Sequence, residues 1–148
     1  MVRVILVNSF SINMITDDKV NIRFVKINFD KAREIIELAK KKNIKVESYI
    51  GHESTAQLLT RLLNYNIVTN RTEYKLQPTD VLLIFSLSKR LSKPEDIANI
   101  NESEFNVFIA VVVDLWIAPG TVILSTDSEI TNIFPELIDL VSEWMMAG

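Results

Sequence analysis

Two apolar runs, Val2 to Val7 and Val81 to Leu87, lack the polar–apolar alternation of a strand with one wet face. Such runs belong to strands buried on both sides, which need a covering layer above and below. That requirement points to a layered mixture of helices and strands. Val20 to Ile27 alternates and predicts a second strand. Ile44 to Ile50 predicts a third, Glu73 to Leu76 a short one, and Phe105 to Leu115 a long one paired with Val122 to Leu124. Helical spacing appears from Ala32 to Ala39, with Asp30 as the expected N-cap and Lys40-Lys41-Lys42 at the dipole-favoured end. A second helix begins at Glu53 or Ser54 and runs through Leu63; a last amphipathic helix is expected from Ile130 to Met146.

The expected fold is therefore α/β (α+β), a small mixed β-sheet flanked by helices. Residues 1–100 are expected to form the core domain and 101–148 a C-terminal extension packed on it.

Composition removes several function classes. The 148 residues include no cysteine and one histidine, which excludes disulfides, thiolate catalysis and any zinc site built on cysteines or several histidines of one subunit. The net charge of −3 argues against a duplex DNA binder but not against a small anionic ligand held in one pocket. The chain opens directly on a strand pattern, so no signal peptide is expected. The most apolar stretch, Phe105 to Pro119, falls short of the ~20 residues of a spanning helix and contains Asp114, so no membrane partner is expected.

Polar turns follow three predicted strands, where open α/β sheets bind ligands. The first is Asn8 to Asn13, with Asn8, Ser9 and Ser11 as candidate ligand contacts. The second is Gly51-His52-Glu53-Ser54-Thr55, which opens a helix. Helix N-termini present free N–H groups to phosphates, Gly51 would let the backbone approach closely, and Ser54 and Thr55 would add donors. The third is Ser86, Ser88, Lys89 and Arg90, where the arginine can clamp a phosphate through paired hydrogen bonds. RNA carries its own nucleophile, the 2′-hydroxyl. A histidine to protonate the leaving oxygen and an arginine to neutralise charge therefore suffice for its cleavage, without a metal. The plainer readings are Ser54 as a helix cap, Asn8 to Asn13 as an Asx turn, and Lys89-Arg90 as a solvated pair.

The segment Val4 to Ile15, VILVNSFSINMI, resembles the opening strand and turn of the ring nucleases of archaeal viruses, anti-CRISPR enzymes directed against type III CRISPR defence. Ile50 to Leu63, IGHESTAQLLTRLL, is similar to that family's second motif. Asn70-Arg71, Glu73 to Leu76, Thr79-Asp80 and Val81 to Arg90 resemble its third block. The similarity covers roughly Met1 to Lys93. It implies a homodimer that binds cyclic tetra-adenylate across its two-fold axis in the host cytoplasm, with no cofactor or metal. His52 would protonate the 5′-oxygen, Ser11 with Asn8 beside it would bind the ligand, and Arg90 would clamp phosphate. The products would be linear di-adenylates ending in a 2′,3′-cyclic phosphate. Two positions depart from the pattern: Lys93-Pro94 stands where a glutamate and glycine are usual, and Ser86 where a glutamine is common. The alternatives are a protein that sequesters the ring uncut, and an interaction protein acting through residues 101–148.

Overall fold

The structure, a computed structural model, describes residues 1–88 and 99–140. Six strands form one mixed sheet: β1 (Arg3–Val7), β2 (Asn21–Ile27), β3 (Lys45–Ser48), β4 (Asp80–Leu87), β5 (Phe105–Ala118) and β6 (Thr121–Thr126). The lateral order is β2-β5-β4-β1-β3, with β6 paired to β5. The unbroken apolar runs β1 and β4 lie next to each other in parallel, inside the sheet. β3 is parallel to β1 on its other side, and β5 runs antiparallel to both β4 and β2.

Helices cover one face. Helix α1 (Phe29–Lys41) buries Ala32, Ile35, Ile36 and Ala39, and helix α2 (Glu53–Leu63) buries Ala56, Leu58, Leu59 and Leu63. These side chains pack on Val4, Leu6, Leu83, Phe85 and Ile109 of the strands. The opposite face is covered by irregular chain. Phe10, Met14, Ile15, Tyr74 and Leu76 pack over Ile5, Val7, Leu82 and Ile84. Among the described residues, strand runs that demand cover thus receive helices on one side only.

Several local expectations change. The N-cap of α1 is Asn28, whose side chain accepts from the Lys31 N–H at 2.9 Å; Asp30 sits inside the first turn, where its charge still suits the dipole. Glu73 to Leu76 is not a strand; among the described residues, its backbone bond to a distant segment is Leu76 N–H to Met14 O, 2.8 Å. The last amphipathic helix is divided into α3 (Ser128–Ile133) and α4 (Glu136–Leu140). Pro135 explains the division: it lacks an N–H and disfavours helical geometry at Phe134, which adopts φ −128°, ψ 53°. The part of that expected helix beyond residue 140 lies outside the described residues.

The segment expected to pack on the core as an extension from residue 101 enters the sheet itself. β5 inserts between β4 and β2, and Val107, Ile109 and Val111 join the main core. The segment read as an extension supplies an inner strand, because β2 reaches the sheet only through β5. Val113 pairs with Asn21 on one side and Thr126 on the other, so β5 outruns β4 and continues into a hairpin with β6. Gly120, at φ +77°, makes the turn. Among the described residues no helix is long and apolar enough to cross a membrane.

Candidate functional site

Because β1 and β3 are parallel neighbours in the register Leu6 to Ser48, their following turns emerge side by side. Tyr49 N–H donates to Leu6 O at 2.9 Å and keeps the two chains together one residue past the strand. The Asn8–Ser11 turn and the Gly51–His52 turn therefore share one end of the sheet.

A hollow of about 280 Å³ opens on the first turn and is lined by Asn8, Ser9, Ser11, Tyr49, Thr72 and Glu73, among others. Ser11 also caps a short 3-10 turn, its Oγ accepting from the Asn13 N–H at 3.3 Å. That bond uses a lone pair and leaves the hydroxyl hydrogen for a ligand. A second hollow of about 440 Å³ is lined by Tyr49, Gly51, His52, Asn70, Arg71 and Thr72. Tyr49 and Thr72 border both, so the two form one concave surface.

His52 itself is the N-cap of α2, at φ −108°, ψ 124°, with its carbonyl accepting from the Ala56 N–H at 3.0 Å. The helix starts at Glu53, one of the two expected positions, and its cap is His52 rather than Ser54. The His52 side chain makes no capping hydrogen bond and is exposed. Its imidazole stands where the helix N-terminus directs its positive end. Gly51 was expected to permit close backbone approach. A side chain there would meet Arg71 Cγ at 3.7 Å, an ordinary contact, so space does not require glycine. What Gly51 supplies is its carbonyl, which accepts from Arg71 Nε at 3.1 Å. Among the described contacts this is the only bond of that guanidinium, leaving its terminal nitrogens for an anion.

Of the remaining candidates, Thr55 is buried on the core side of α2, Ser54 is half-buried in its first turn, and Ser86 pairs with Asn106 inside the sheet. None of the three lines either hollow. Arg90, with Lys89 and Lys93, lies outside the described residues.

Residue-level reading did not assign Tyr49, Asn70, Arg71 or Thr72 to the site. The segment that carries the last three is fastened at both ends. Asn70 donates its N–H to Ile50 O (2.9 Å) and its Nδ2 to Ser48 O (3.0 Å), while its Oδ1 accepts from the Thr72 N–H (3.0 Å). The last bond is an Asx turn, and Asn-Arg-Thr between apolar neighbours was its signal. Further on, the Tyr74 hydroxyl donates to the fully buried Asp80, which also receives two bonds from Arg3 at 3.0 and 2.8 Å. Burial, then the Asp80 carboxylate, push the Tyr74 phenol far above its ordinary range. Arg3 reaches Glu47 as well, at 2.7 Å. The Glu47 carboxyl lies below its usual value, chiefly through the hydrogen bond from Lys45, with Arg3 adding to it.

The sequence profile of the STIV B116-like family matches residues 4–112. The chain is 31% identical over 91 residues to protein 26 of Sulfolobus islandicus filamentous virus (isolate Iceland/Hveragerdi), covering 60% of this chain and 73% of that protein. It is 27% identical over 88 residues to protein ORF117 of Acidianus two-tailed virus, with the same coverage. The solved structure of B116 of Sulfolobus turreted icosahedral virus superposes with a TM-score of 0.63 at 26% identity, over 74% of this chain and 98% of that one.

Proposed function

Since the chain belongs to the STIV B116-like family of archaeal-virus proteins, whose profile runs into β5, we propose that it is a metal-independent ring nuclease. It cleaves cyclic tetra-adenylate and so acts as a viral anti-CRISPR protein in the host cytoplasm. The observation that carries this reading is the shared hollow of His52 and Arg71, joined through Tyr49 and Thr72 to the Asn8–Ser9–Ser11 hollow.

The chemistry follows from the groups at hand. Arg71, and Arg90 by resemblance, neutralise the scissile phosphate. The substrate's 2′-oxygen attacks phosphorus in line and its proton passes to solvent. The P–O5′ bond breaks, and protonated His52 gives its proton to the departing 5′-oxygen. Two such events on opposite sides of the ring give two linear di-adenylates, each with a 2′,3′-cyclic phosphate. Two-fold pairing of subunits presents the same groups to opposite phosphates, which is why the reading includes a homodimer.

Incubation of the purified protein with cyclic tetra-adenylate in EDTA, resolved by chromatography, tests this. Cleavage to the cyclic-phosphate dimer is expected, with His52→Ala slower by about a hundredfold. A requirement for magnesium, or full activity in His52→Ala, overturns it. One observation favours a second reading, sequestration without cutting: the exposed His52 at the helix start has no capping hydrogen bond to orient its ring. Saturable binding of one ring per dimer with no product on long incubation selects that alternative.

A further inference from the structure

Strand β5 keeps β4 as neighbour as far as Val111 and β2 as far as Val113, then runs on to Ala118. Past Val113 its described neighbour is β6, in the register Asp114 to Ser125 through Ala118 to Thr121. The two strands form a ribbon that leaves the sheet beside the start of β4. That end lies opposite the Asn8 and Gly51 turns, which follow the ends of β1 and β3, both parallel to β4. The family match ends at residue 112, so the ribbon lies beyond it. Two strands alone are marginally stable in water. Here Leu115, Trp116, Ile117 and Ala118 run opposite Leu124, Ile123, Val122 and Thr121, so neither alternating set of positions is strongly polar. Leu115 is 42% exposed, and the ribbon's one charge is Asp114, at its base. Among the described residues, no strand lies past Val113 on the β5 edge turned away from β6.

An unpaired strand edge is a template for another strand. Chemistry narrows the occupant. Every charged side chain after Lys93 is a carboxylate, which opposes nucleic acid and anionic lipid headgroups. Membrane hydrocarbon excludes open strand edges. A strand from a second copy of this chain meets neither objection, and the register favours it. The free edge spans residues 114–118, because Asn21 holds Val113 and Pro119 has no N–H to offer. Two such edges joined antiparallel about a two-fold axis match along their whole length only when Trp116 meets its own copy. In that register Asp114 stands opposite Ala118 of the partner subunit, and the two carboxylates stay apart. We propose that the ribbon is a self-association arm in which β5 of two copies pairs through residues 114–118. This contact lies at the other end of the sheet from the candidate site. It is separate from the subunit pairing that the nuclease reading includes, and does not rest on that reading.

The chain has no cysteine, so introduced thiols report the register without background. Trp116→Cys in the full chain, oxidised by diamide at low protein concentration, is expected to give a disulfide-linked dimer. Opposed residues of antiparallel strands have Cα atoms about 4.5–5.5 Å apart, within disulfide reach. Asp114→Cys alone is expected to stay unlinked, its two copies standing about 13 Å apart along the strands. Adding Ala118→Cys to it restores the link. Leu115→Lys, at an exposed position that spares the core, is expected to halve the mass read by sedimentation equilibrium. The change runs from tetramer to dimer if the site-bearing dimer also exists, and from dimer to monomer if it does not, so the two contacts fail separately. The proposal is overturned if Trp116→Cys stays unlinked, if Asp114→Cys links as readily, or if Leu115→Lys keeps the parent mass. Cover of the arm by residues 141–148 of the same chain, or by an unrelated protein, gives the first and last of these results.

Discussion

His52 and Arg71 come to one hollow from segments on either side of α2, and the link between them is the bond from Arg71 Nε to Gly51 O. Nε is thereby spent on the protein, and the terminal nitrogens remain for phosphate. Arg71→Ala in a His52→Ala background should weaken cyclic tetra-adenylate binding by roughly tenfold or more, the scale of one lost charge-assisted bond, read by titration calorimetry. Arg71→Lys should recover only part of it, because an ammonium cannot hold the carbonyl and an anion in one plane. His52 was legible in the sequence because a histidine at a glycine-marked helix start is conspicuous. Arg71 was not, since nothing local shows that an Asx turn twenty residues later returns to the Gly51 carbonyl. Ser54 and Thr55 point away from the ligand hollows: the cap is His52 and the helix runs from Glu53, which leaves Ser54 half-buried in the first turn and Thr55 on the core side.

Strands were the legible elements, since continuous or alternating apolar runs are strong signals, and β1, β2 and β4 fall within a residue of their expected bounds. The segment 70–77 was less so; its order comes from Asn70, Tyr74 and Asp80, not from a ladder. The cluster at its end makes a stability prediction. Asp80→Ala strands Arg3 and the Tyr74 hydroxyl, and should cost about 3 kcal/mol in urea denaturation, the low end for a broken buried pair because Arg3 retains some solvent. Tyr74→Phe removes one hydroxyl bond and should cost nearer 1 kcal/mol. The edge of β3 predicts a pH response. Glu47 has a folded value depressed from the usual 4.5, so its contribution is present above that value and fades as pH falls through the lower, folded one. The urea midpoint should drop over that acid window, and Glu47→Gln should lessen the drop.

At the level of the whole molecule, layered α/β organisation follows from burying β1 and β4 on both faces, and composition alone removed cysteine chemistry. The place of residues 105–118 was not legible, because an apolar run has the same pattern at a sheet's centre as at an added edge. A chain ending at Asn101 is expected to be insoluble, or to lose the cooperative near-ultraviolet dichroism transition of the parent; a soluble, active remainder would contradict the strand order. Since β5 enters the sheet between two strands laid down before it, a ribosome has released two thirds of the polypeptide before the slot is filled. Until then the edges of β2 and β4 have only each other or a stranger to meet. Supplied separately, a 99–148 peptide should therefore rescue a 1–98 fragment in trans, as a wedge restores an arch, and the fragment alone should precipitate.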